Sequence, residues 1–95
     1  MKTLHLFITG RVQGVGFRDW LVRKATKLRL TGWVRNVGTD TVETVVSGKD
    51  DAVDACTQLC WHGPSMASVS HINTTETTAP EESFFIQRSS IPSPE

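Results

Sequence analysis

No stretch of this chain approaches the ~20 consecutive apolar residues a membrane-spanning helix requires, which excludes a helical membrane protein. The first ten residues carry Lys2 and then alternate, so the unbroken apolar core of a secretion signal is missing as well. Together these absences predict a cytoplasmic protein with no membrane partner. Cysteine is scarce: Cys56 and Cys60 are the only two, and a reducing compartment keeps such thiols free. There is no internal repeat, and no low-complexity segment before the C-terminal tail. Net charge is absent too, whereas a nucleic-acid-binding domain is usually basic overall. No nucleic-acid partner is expected.

What the chain does have suits one small domain of 95 residues. A core of that size calls for two layers of secondary structure, one covering the other. The zero net charge hides an asymmetry. Residues 1–49 hold nine of the ten Lys and Arg against three acids, while residues 50–95 hold Arg88 against seven acids. A basic first half favours a small anionic ligand there.

Alternation predicts a first strand over Leu4–Thr9, with Leu4, Leu6 and Ile8 on one face. Gly10 to Gly16 reads as a loop. From Phe17 onward the apolar residues Trp20, Leu21, Ala25 and Leu28 recur at helical spacing, and Gly32 is a plausible stop. Trp33–Val37 and Thr41–Val46 read as strands joined by a hairpin. Asp50 or Asp51 is expected to cap a second helix whose apolar stripe is Ala52, Val53, Cys56, Leu59 and Cys60, ending at Gly63-Pro64. Met66–Thr75 and a short Phe84–Arg88 segment complete the strands, and Ser89–Glu95 reads as a loose tail. This order predicts an α+β fold of the ferredoxin-like split βαβ type (βαββαβ), an antiparallel sheet with both helices on one face.

The informative segment is Gly10-Arg11-Val12-Gln13-Gly14-Val15-Gly16-Phe17-Arg18, between a strand and a helix start. Glycines there let the backbone fold its N–H groups into a concave nest. The helix N-terminus adds donors and partial positive charge, and Arg18 can close a phosphate with a planar fork. No Gly-Lys-Ser/Thr follows, so this is not a Walker loop, and no third glycine stands at the dinucleotide-binding spacing. Spacing alone also allows an ordinary strand-to-helix turn carrying a surface Arg.

The nine-residue segment resembles, without a gap, the phosphate-binding signature of the acylphosphatase family. Gly32-Trp33-Val34-Arg35-Asn36, with Val42-Glu43 six and seven residues after the Asn, resembles that family's second motif, and Gly63-Pro64, Ala67 and Val69 a weaker third feature. The likeness covers roughly residues 4–88, which reads as an acylphosphatase-like domain 1–88 followed by the flexible tail 89–95. It implies a ferredoxin-like fold and hydrolysis of the carboxyl–phosphate bond of acyl phosphates. It also implies that Gln13, Gly14, Val15, Gly16, Phe17 and Arg18 form the phosphate-binding loop. By the same resemblance, Arg18 is expected to bind the phosphate and Asn36 to orient the attacking water, making these two the catalytic pair. No cofactor and no metal is implied, the partner is a small acyl phosphate, and the protein is expected to be a monomer. Two departures stand out. Thr39-Asp40 replaces the family's usual Asp-Gly in the hairpin, and Asp19 follows Arg18, where it is expected to point to solvent.

This inventory fits one chemistry. Phosphoryl transfer needs positioning and charge neutralisation, and an acyl phosphate releases a carboxylate of pKa about 4–5 by analogy with Asp and Glu. Such a group leaves without a proton, whereas an alkyl ester demands an acid, a nucleophile or a metal pair. His5, His62 and His71 are scattered and read as structural or surface residues, and Trp20, Trp33 and Trp61 as core or rim aromatics. Cys56 and Cys60 read as core residues; with His62 they make only a weak zinc pattern. Two alternatives share the fold: an RNA-recognition module, for which the signature is lacking, and a carbamoyl-phosphate-handling domain like the one that opens hydrogenase-maturation carbamoyltransferases. The latter continue into long further domains, and an end at Glu95 favours the free enzyme.

Overall fold

The computed structural model describes residues 1–93. In chain order the elements are β1 (Lys2–Arg11), α1 (Phe17–Lys27), β2 (Thr31–Val37), β3 (Thr41–Gly48), α2 (Asp50–His62), β4 (Ser68–Glu76) and β5 (Phe85–Gln87). They form one sheet of order β4-β1-β3-β2-β5. Helix α1 packs on the β2–β5 side, α2 on the β1–β4 side, and the two helices touch each other. Both therefore cover the same face, as the ferredoxin-like plan requires. Leu4, Leu6 and Ile8 of β1 point into the shared core with Phe17, Leu21, Ala25, Val34, Val42, Val46, Val53, Cys56 and Cys60. The two cysteines are thus fully buried core residues.

The expectation of a purely antiparallel sheet needs one correction. The β1–β3, β1–β4 and β2–β3 pairs are antiparallel, but β5 pairs with β2 in parallel. The cause is topological. β4 leaves the sheet at the end where β1 begins, with Thr77 N–H donating to Thr3 O at 3.1 Å. A chain crossing from there to the far edge re-enters running opposite to β4, which is the direction of β2.

Several boundaries also move. β1 runs on through Gly10 and Arg11 after a bulge at Thr9/Gly10. Gly32 does not stop α1. It lies inside β2, at φ 137°, where an added Cβ would stand 1.9 Å from Val45 O, so only glycine fits. The helix stops earlier. Arg29 takes a left-handed φ of 60°, and Arg29 N–H and Leu30 N–H return to Thr26 O and Ala25 O. That is a Schellman closure with arginine at the position usually held by glycine. α2 is preceded by Lys49, with no side-chain cap. Asp50 and Asp51 sit inside its first turn, where they favour the helix through its dipole. In the hairpin, Gly38 takes the positive φ of 61°, so neither Thr39 nor Asp40 has to.

The tail expected to be loose is tied down as far as residue 91. Arg88 N–H donates to Val34 O at 2.8 Å, Ile91 N–H to Asn36 O at 2.9 Å, and Gly38 N–H to Ile91 O at 2.9 Å. Ile91 forms an isolated parallel bridge with Val37. These bonds prolong the pairing begun by β5, because the chain simply continues along the edge of β2. Pro94 and Glu95 of the expected tail lie outside the described residues.

Candidate active site

β1, β2 and β5 end, and α1 begins, at one end of the sheet. The segment between β1 and α1 turns over that end with Gly14 at φ 72° and Gly16 at φ 78°. Gly16 precedes α1 in the left-handed conformation, and no side chain caps the helix. As a result the amide N–H groups from Gln13 to Asp19 have no hydrogen-bond partner among the described residues. A run of free donors at a helix N-terminus attracts an anion.

These groups border a cavity of about 170 Å³ lined by Val12, Gln13, Gly14, Gly16, Phe17, Arg18, Asp19, Asn36 and Gln87. Arg18 and Asn36, 18 residues apart in sequence, thus face one space. Asn36 comes from the last turn of pleat in β2, paired opposite Val42, and its side-chain amide makes no hydrogen bond among the described residues. It can both donate to and accept from a water. Arg18 stands in the first turn of α1 and donates through Nη1 to Arg88 O at 3.3 Å and Ser90 Oγ at 3.5 Å. Its Nε and Nη2 make no hydrogen bond among the described residues, leaving one bidentate edge of the guanidinium free.

The loop residues divide their tasks. Gly14, Gly16, Phe17 and Arg18 line the cavity, whereas Val15 packs its side chain against the core. Gln13 lines it too, yet its side-chain amide is committed elsewhere: Nε2 lies 2.9 Å from Thr41 O, 3.2 Å from Gly38 O and 3.3 Å from Val37 O. It fastens the loop to the β2–β3 hairpin and so to Asn36. Asp19 reaches the rim but is 77% exposed and bonds Arg23 at 2.9 Å, one helical turn on. Its carboxylate is drawn outward, toward solvent.

Sequence reasoning missed Gln87, which lines the cavity from β5; a three-residue strand offers no periodic signal. It also gave Glu43 no role. Glu43 is nearly buried on the sheet face away from the helices. There Oε1 lies 2.7 Å from Arg35 Nε and Oε2 2.7 Å from His5 Nε2. Arg35 and Arg88 also stack on the Trp33 ring, at 4.9 and 4.6 Å from its centroid. This network braces the strand that carries Asn36 from behind.

None of His5, His62 or His71 lines the cavity. Among the described residues, no group of three His, Cys, Asp or Glu could hold a metal ion, and no helix is long and apolar enough to cross a membrane. The Cys60 thiol is pushed well up, first by its contact with Cys56 and then by burial, so it stays a thiol.

The chain matches the family model described as Acylphosphatase over residues 4–86. It is 46% identical over 88 residues to the acylphosphatase of Acidiphilium cryptum, covering 93% of this chain and 97% of that protein. Among solved structures, an acylphosphatase from Coxiella burnetii superposes with a TM-score of 0.88 at 39% identity, with 92% of each chain covered. A full-length HypF in its phosphate- and nucleotide-bound form gives a TM-score of 0.88 at 27% identity, covering 96% of this chain and 12% of that one.

Proposed function

Because the chain belongs to the acylphosphatase family, we propose that it cleaves acyl phosphates by direct attack of an Asn36-held water on a phosphoryl group bound by Arg18 and the loop amides. The observation that supports this reading most is the shared cavity. Free N–H donors, an Arg with one open fork and an Asn with an uncommitted amide all border about 170 Å³ of space. The phosphoryl oxygens take the amides of Gly14 to Arg18 and the Nε/Nη2 edge of Arg18. These donors neutralise charge that spreads over the equatorial oxygens in the transition state. Asn36 accepts a hydrogen bond from the water and fixes its lone pair toward phosphorus. The water oxygen bonds to phosphorus as the bond from phosphorus to the acyl oxygen breaks. The carboxylate leaves unprotonated, and the water's proton ends on the phosphate released. One chain supplies every group this mechanism uses, so a monomer suffices.

The test is release of inorganic phosphate from benzoyl or acetyl phosphate, compared with an alkyl phosphomonoester, for the parent and Arg18→Ala. The acyl phosphate is cleaved and the ester is not. Arg18→Ala weakens both phosphate binding and turnover by about 1.5–3 kcal/mol or more, the value of charge-assisted hydrogen bonds. Equal turnover of acyl and alkyl substrates would overturn the mechanism. The likeness to HypF supports a second reading, a phosphate- or carbamoyl-phosphate-binding module without hydrolysis. Its signature would be phosphate binding lost in Arg18→Ala with no turnover of any acyl phosphate by the parent.

A further inference from the structure

The segment after β5 contacts both working side chains' supports at once. Arg18 Nη1 donates to Arg88 O and Ser90 Oγ, and one residue past Ser90, Ile91 N–H donates to Asn36 O while Ile91 O accepts from Gly38 N–H. The segment is itself anchored. Arg88 N–H is bonded to Val34 O, and the Arg88 side chain pairs with Glu82 and stacks on Trp33. Resting on the reading of Arg18 as the phosphate ligand, we propose that Arg88, Ser90 and Ile91 position the site, with Ser90 as the positioning residue for Arg18, whereas the Ser89 side chain makes no hydrogen bond among the described residues.

The chemistry of the contact carries the argument. An arginine has many rotamers, and fixing a half-buried one such as Arg18 costs side-chain entropy. Pre-ordering it before substrate arrives removes that penalty from binding. Both acceptors on Nη1 are neutral, a carbonyl and a hydroxyl, so they orient the guanidinium without cancelling its charge. They occupy Nη1 and leave the Nε/Nη2 edge for the anion. The nearest acid in sequence, Asp19, is held away by Arg23, so no carboxylate among the described residues bonds Arg18. A negative charge at Ser90 would reverse this arrangement, since it would sit on the guanidinium itself and compete with the phosphoryl group.

The experiment uses the full chain and four variants: Ser90→Ala, Ser90→Thr, Ser90→Asp and, as a control of equal charge one residue away, Ser89→Asp. Inorganic phosphate is the binding probe, and kcat and KM are measured with benzoyl phosphate. The Arg18 Nε–H signal in heteronuclear NMR reports the order of the side chain. Ser90→Ala is expected to weaken phosphate and raise KM about threefold, the low end for a long hydrogen bond, with a more mobile Arg18 signal and an unchanged melting temperature. Ser90→Thr keeps the hydroxyl and restores all three values. Ser90→Asp weakens phosphate tenfold or more, while Ser89→Asp stays near the parent. The proposal is overturned if Ser90→Ala and Ser90→Asp both bind phosphate as the parent does. It is equally overturned if the two aspartate variants lose affinity alike, or if losses follow the melting temperature. Phosphate binding that survives Arg18→Ala would instead refute the phosphate-ligand reading beneath it.

Discussion

Replacing Gln13 with alanine separates two roles that the loop sequence alone leaves merged. The resemblance to the family's loop suggests that Gln13 serves the phosphate, whereas the structure commits its side-chain amide to three carbonyls of the β2–β3 hairpin. Nε2 has two hydrogens. One makes the 2.9 Å bond to Thr41 O, and the other is shared between Gly38 O and Val37 O at 3.2 and 3.3 Å. At about 0.5–1.5 kcal/mol net for each good bond, and with the side chain half-buried so that water can replace part of the loss, Gln13→Ala is expected to destabilise by about 1–2 kcal/mol. For a domain of this size that lowers the melting temperature by about 4–16 °C. Gln13→Glu goes further, because a carboxylate would face carbonyl oxygens with no donor between them. The assay is thermal unfolding by circular dichroism at neutral pH without ligand, paired with phosphate titration and steady-state kinetics. The fall in melting temperature appears in the ligand-free protein, the phosphate Kd changes little, and kcat drops because the loop and Asn36 lose their shared fastening. An unchanged melting temperature with a tenfold weaker phosphate Kd would refute this reasoning and return the Gln13 side chain to the ligand.

Asn36→Ala is expected to keep phosphate binding and lower kcat, since the proposed mechanism assigns its amide to the water rather than to the phosphoryl oxygens; loss of phosphate binding in a folded variant would reverse that assignment. Because the proposed mechanism uses no acid–base side chain, only a guanidinium and an amide, kcat should be nearly flat from about pH 5.5 to 8, any bend following the substrate phosphate with its second pKa near 6. A step near pH 6.5 that persists across two acyl phosphates and vanishes in a His5, His62 or His71→Gln variant would show a histidine base instead. Glu82 is held below the usual carboxylate range, chiefly by its hydrogen bond to Arg88. It therefore contributes stability that is present above the ordinary carboxylate pKa and lost as pH falls through its lowered one. Acid unfolding of Glu82→Gln should show a shallower loss in that window, and an acid limb identical to the parent's would remove Glu82 from the account.

The arrangement of the candidate site was partly legible because some of it is local. Gly14, Gly16 and Arg18 lie within five residues, and the turn from alternating to helical periodicity at Phe17 is written in the same short stretch. That stretch marks a turn able to bind a phosphate, although spacing alone also fits an ordinary strand-to-helix turn, and Trp33 to Asn36 marks a strand that could bring an amide to it. The helix ends were less legible. Gly32 looks like a stop because glycine is a common one, but only the approach of Val45 O shows that its role is inside β2. Arg29 carries the left-handed turn without any composition signal.

The sequence by itself determined the order of strands and helices, the core face of β1, the buried stripe of α2 and the placing of a glycine loop before a helix with Arg18 in its first turn. Each of these depends on a period of two or of 3.6 residues, or on a turn residue, and such signals are complete within a few neighbours. Only the tertiary structure decided the parallel docking of β5, the bracing of Glu43 by His5 and Arg35, the fastening of Gln13 to the hairpin and the grip of residues 88–91 on Arg18 and Asn36. Those contacts join groups 24 to 72 residues apart, except for Arg35 and Glu43, eight apart across the hairpin. A hydrogen bond of that span leaves no periodic trace in either partner's neighbourhood, because its geometry exists only after the sheet has set which strand ends meet at the cavity.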